Sequence, residues 1–130
     1  MSYAIALYSI PKGKIPSFPC TISSARLETL LLKTTTLDHA LETARNIGHV
    51  FDIDQKSFCL TRTPKPNAQP NTQKHLEIYV DPSCIVVTFR GADHSLFLQF
   101  FTALPTPSTD YIANDNQDLT FHDPQSLPIS

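Results

Sequence analysis

Three cysteines and five histidines are the groups in this chain best suited to nucleophilic or metal chemistry. A nucleophile needs a Cys or Ser with a His in reach and a third group to orient the imidazole. The pieces are present without that pattern. Cys59 and Cys84 fall in apolar stretches beside Phe58 and Ile85, where a thiol behaves as a small hydrophobe and burial raises its pKa. Cys20 follows Phe18-Pro19 and is expected to be more exposed, with nothing nearby to stabilise a thiolate. His39, His49, His75, His94 and His122 show no H-x-x-x-H or H-E-x-x-H spacing, the arrangement that sets two ligands on one helix face. No metal, cofactor or catalytic set is expected.

Two looser constellations remain. Asp52, Asp54, His49 and His75 would converge if the hairpins that carry them pair, which would permit a hard-cation or acid-base site. Alternating Asp residues also describe an ordinary solvated strand face, and that reading is preferred. The stretch Phe89-Arg90-Gly91-Ala92-Asp93-His94-Ser95 reads as a strand-to-helix turn, and free N–H groups at a helix start can hold an anion with Arg90 assisting. Against this, Asp93 at the cap would repel an anion and occupy the same donors. Arg90, Asp93 and His94 therefore stand as candidate ligand or partner contacts and not as a phosphate loop.

The net charge of −2 hides a split. Residues 1–70 carry eight bases and five acids, and the remainder two bases and seven acids, including Asp110, Asp115 and Asp118. An acidic, apolar-poor segment either solubilises or meets a basic partner, so these three Asp are candidate contacts. The ten bases are dispersed and the pI is near 6.2, so no basic stripe for nucleic acid is expected. No apolar run approaches the roughly 20 residues that cross a bilayer, so no membrane partner is expected. The apolar start at Tyr3 precedes Lys12 and Lys14, the reverse of a secretory signal. With an odd number of widely spaced cysteines, this suggests a reducing, cytoplasmic setting.

The elements that must position these groups follow from periodicity. Tyr3 to Ser9 is apolar on both alternating sets, as in a central strand. Pro11, Pro16 and Pro19 make a stiff loop. Ser23 or Ser24 can cap a short helix with Leu27, Leu30 and Leu31, and Thr36 a second with Leu37, Ala40, Leu41, Ala44 and Ile47, closed by a left-handed Gly48. Phe51-Ile53 and Phe58-Leu60 predict one hairpin, and Leu76-Val80 and Cys84-Phe89 about Asp81-Pro82-Ser83 a second. The proline-rich stretch from Thr63 to Lys74 has nothing to bury and is expected as a mobile loop. Leu96, Phe97, Phe100 and Phe101 predict a last helix, which could serve a core or a homodimer interface.

The expectation is an α+β domain over 1–104: about five strands, mostly antiparallel, with two N-terminal helices and one C-terminal helix packed on the sheet. Residues 105–130 form an acidic, proline-containing tail that could dock on it. The missing catalytic set favours a non-enzymatic protein-binding module, such as a small inhibitor, immunity-type protein or adaptor, whose partner has a basic surface. The alternative is a small enzyme or ligand-binding domain with a pocket at Arg90 to His94.

Overall fold

A computed structural model describes residues 3–14, 17–62, 74–91, 94–104, 109–114 and 120–126. In chain order these are β1 (Tyr3–Pro11), β2 (Cys20–Thr21), α1 (Ser24–Leu30), α2 (Leu37–Arg45), β3 (His49–Phe51), β4 (Ser57–Thr61), β5 (His75–Asp81), β6 (Cys84–Arg90), α3 (His94–Ala103), β7 (Thr109–Asn114) and β8 (Thr120–His122), then a 3-10 turn at Pro124–Ser126. The fold is α+β, and the strands form one antiparallel sheet in the order β2-β8-β7-β1-β6-β5-β4-β3. The expected sheet of about five strands has eight among the described residues. The additions β2, β7 and β8 are short or polar at their ends, and they become strands only because partners complete their hydrogen bonds. The segment beyond Pro105, expected as a tail, supplies β7 and β8. Of the loop expected from Thr63 to Lys74, residues 63–73 lie outside the described residues.

Strand β1 is interior because both its faces are apolar; it pairs with β6 on one side and β7 on the other. Both expected hairpins form, but β3 ends at Phe51, so Asp52, Ile53 and Asp54, expected on its strand, fall in the β3–β4 turn; β4 also pairs with β5, so β3 to β6 make a continuous meander. The Asp81 carboxylate holds the β5–β6 turn by accepting from the Ser83 amide at 3.4 Å and its hydroxyl at 3.1 Å. Such local side-chain bonds stand in for backbone partners that a turn lacks.

Thr36 caps α2, its hydroxyl accepting from the His39 amide at 3.3 Å, and Ser23 caps α1 through the Arg26 amide at 3.2 Å. Gly48 departs from expectation: positive φ occurs at Gly13 and Gly91 and not at Gly48. A glycine is required there by proximity, since a Cβ would meet the Thr61 carbonyl oxygen at 2.3 Å. The return from α2 into β3 thus brings two backbones into contact.

Alternation sends side chains of each strand to opposite faces. On one face Ile5, Leu7, Phe58, Leu60, Leu76, Ile78, Ile85 and Val87 are buried with α2 residues Ala40 and Ala44 and α3 residues Leu96, Phe97 and Phe100. Phe58 and Phe100 meet edge to face at 6.4 Å, and Phe101 meets Tyr111 of β7 in the same way at 5.6 Å. Burying each such aromatic contributes about 1.5–3 kcal/mol, and this layer is the main source of stability. On the other face, α1 covers only the β1-β7-β8-β2 half, where Leu27 and Leu30 pack on Ile10, Ile22, Ile112 and Phe121. The linker between α1 and α2 passes from face to face beyond the β5–β6 turn, with Thr34 donating to the carbonyls of Pro82 (3.1 Å) and Asp81 (2.7 Å). Among the described residues, no helix is long and apolar enough to cross a membrane.

Candidate functional site

The half of the second face that spans β3 to β6 has no described helix over it. The consequence is visible in the strands: Leu76, Ile78 and Val80 are buried while Glu77 and Tyr79 between them are not, and Val86 and Thr88 are half-buried between Ile85, Val87 and Phe89. Cross-strand register places Ser57 beside Tyr79, Cys59 beside Glu77, Glu77 beside Thr88 and Tyr79 beside Val86. These side chains, with Asp52 and Asp54 from the β3–β4 turn, line a depression of about 320 Å³. Asp52 adopts φ of 51°, a left-handed conformation that Asp tolerates better than most residues. The Asp54 carboxylate accepts from the Gln55 amide at 2.7 Å, which holds the turn.

Pairing of β4 with β5 does bring the two hairpins together, so Asp52 and Asp54 approach Glu77. Neither histidine lines the depression: His75 sits against Phe51 at 5.3 Å, and Phe51 in turn stacks on His49 at 6.2 Å. His75 Nε2 is 3.9 Å from Glu77 Oε1. Among the described residues, no group of three or more His, Cys, Asp or Glu side chains is arranged to hold a metal ion.

Arg90 points to this open face, donating from Nε to Glu77 Oε1 at 2.9 Å and from a terminal nitrogen to Oε2 at 3.5 Å. His94 belongs to the opposite face, its ring stacked at 5.9 Å on Phe97, which packs on Phe89. Strand alternation therefore separates the two, and Arg90 and His94 do not converge. Asp93, Asp115 and Asp118 lie outside the described residues, and Asp110 is placed only by its backbone, opposite Ile10 in the β1–β7 pair. Arg62, at the end of β4, reaches α3, donating to Ser95 Oγ at 2.5 Å and Gln99 Oε1 at 3.3 Å.

None of the thiols is poised as a nucleophile. Burial pushes the Cys59 thiol up to about 11, the negative charges of Glu77 and Asp52 add to the rise, and Arg90 opposes it. Cys84 is raised by burial and by Asp81 against a lowering bond from Ser83, and Cys20 by burial against Arg26. Each stays protonated near neutral pH.

A second cavity, also about 320 Å³, lies where the α1–α2 linker meets the β5–β6 turn, lined by Thr34, Thr35, Leu37, Val80, Asp81 and Pro82 among others. Its threonines are largely committed: Thr34 to Asp81 and Thr36 to capping α2. Thr35 Oγ1 is buried without a hydrogen-bond partner among the described residues.

The open face was not singled out from sequence, although Glu77 and Tyr79 alternating with Leu76, Ile78 and Val80 marked β5 as half exposed. What sequence could not show is that β4, β5 and β6 lie side by side with no described helix over that face. Compared with known proteins, the chain matches no family model, no curated protein and no solved structure.

Proposed function

We propose that this chain is a protein-binding module of the inhibitor, immunity or adaptor type, acting through the half of its sheet that no described helix covers and performing no chemistry of its own. The observation that carries this reading is the face of β5 and β6 that no described helix covers, where Tyr79 stays 40% exposed while Ile78 behind it is 0% exposed. A sheet with one wet face is ordinary when that face is polar. Here Tyr79, Val86 and Phe51 lie on it, and an aromatic with a polar tip is a common interface anchor. The thiols are raised, and Arg90 is engaged by Glu77, so the groups nearest the depression support recognition better than turnover.

The pocket reading at Arg90 to His94 has less support, because neither cavity described above is lined by either residue. Affinity capture from the native host, with Tyr79→Lys and Val86→Lys as paired controls, tests the proposal. A stoichiometric partner lost in both variants is the expected result. Capture that both variants leave unchanged would remove the open face from the reading.

A further inference from the structure

The uncovered face is uneven in charge as well as in cover. Asp52, Asp54 and Glu77 line its depression from two separate elements, and no base is among the lining residues. Arg90, on the same face, is held against Glu77. Two of the four large apolar side chains that the described chain exposes are adjacent: Tyr79, at 40%, lines the depression, and Ile53, at 52%, stands in the turn between Asp52 and Asp54. Carboxylates alone would make a solvated face; carboxylates beside an exposed aromatic with a polar tip combine charge with a side chain that interfaces commonly bury.

Building on the proposed binding role, we infer that the occupant is a segment of a partner protein carrying a Lys or Arg between apolar side chains. Its cation enters the depression between Asp52, Asp54 and Glu77, and its apolar groups cover Tyr79 and Ile53. Charge complementarity selects this occupant over the others. A second copy docked about a two-fold axis would bring the same carboxylates face to face, because an isologous interface meets itself. A nucleic-acid backbone or an anionic lipid surface would be repelled by the same three groups.

The test uses the full chain labelled for amide NMR and two synthetic peptides, one alternating Lys with Val and one alternating Glu with Val. The Lys peptide is expected to shift amides of the β3–β4 turn, Cys59, Glu77 to Tyr79 and Val86 to Thr88, more weakly as salt rises. Asp52→Asn combined with Asp54→Asn is expected to weaken that binding at least about fivefold; Asn tolerates the left-handed backbone at 52, so the fold is retained. Glu77→Gln, away from the turn, provides a second variant with the same expected direction. Equal binding of the Glu peptide, shifts mapping elsewhere, or variants that bind like the parent would overturn the inference. The binding role fails separately: a partner captured from the host and lost in Tyr79→Lys but kept in the Asp52, Asp54 double variant upholds the role and refutes the cationic occupant.

Discussion

Arg90 and Glu77 form a diagonal ion pair across β5 and β6, Nε to Oε1 at 2.9 Å, with Arg90 one pleat beyond the residue that faces Glu77 in register. Both side chains are nearly half exposed, 46% and 43%. Water therefore screens the pair, and its effect on folding is at most about 1 kcal/mol. Its larger effect is on the depression, whose negative charge it partly offsets. Arg90→Ala should lower the urea midpoint only slightly. It should also raise the Cys59 pKa further, because the one opposing positive charge is gone. A thiol-labelling rate that increased in Arg90→Ala would contradict this.

Cys59 also links stability to pH. Its thiol rises from 9.0 to about 11 in the folded chain, so the folded state holds the proton more tightly than the unfolded one. The stabilisation is fully present below the unfolded value near 9.0 and is lost as pH climbs through the folded value near 11. Wild type should therefore lose more stability than Cys59→Ala across that window, and the difference between their denaturation midpoints below and above it is the readout. Parallel curves would show that Cys59 is not the linked group.

Gly48 and Gly13 separate two reasons for a glycine. At Gly48 an added Cβ meets the Thr61 carbonyl at 2.3 Å, and backbone cannot move aside cheaply. Gly48→Ala should cost about 3 kcal/mol or more. Gly13 has φ of +80° and open space around it, so Gly13→Ala should cost about 1–2 kcal/mol through backbone conformation alone. Thermal melts of the two variants against the parent decide the order.

The two faces of the meander predict opposite sensitivities. Phe100 is fully buried on Phe58, and Phe100→Ala should cost about 3–5 kcal/mol. Tyr79 stands on the open face, and Tyr79→Ser should change stability by about 0.5 kcal/mol or less while weakening partner binding. Chemical denaturation of both variants checks the contrast. A large loss in Tyr79→Ser would mean that the open face is covered.

Local signals in the chain determined most elements. The Thr36 cap with Leu37, Ala40, Leu41 and Ala44 at helical spacing yields α2, and the alternation about Asp81-Pro82-Ser83 yields β5 and β6, because caps and turns are satisfied by near neighbours. The doubly apolar β1 announced an interior position, since both its faces need cover.

Tertiary structure decided what depends on partners distant in sequence. β2, β7 and β8 exist as strands because Cys20 meets Phe121 and Tyr8 meets Ile112, and no local period encodes such pairings. Gly48 is needed for its approach to Thr61, which sequence alone read as a left-handed cap. Arg90 and His94 are near in the chain but fall on opposite faces, while Asp52 and Glu77, far apart in it, share one depression. The physical reason is the same throughout: a strand's side-chain direction follows its own period, whereas the neighbour beside it and the cover above it are set by which edges and apolar faces find one another in the folded chain.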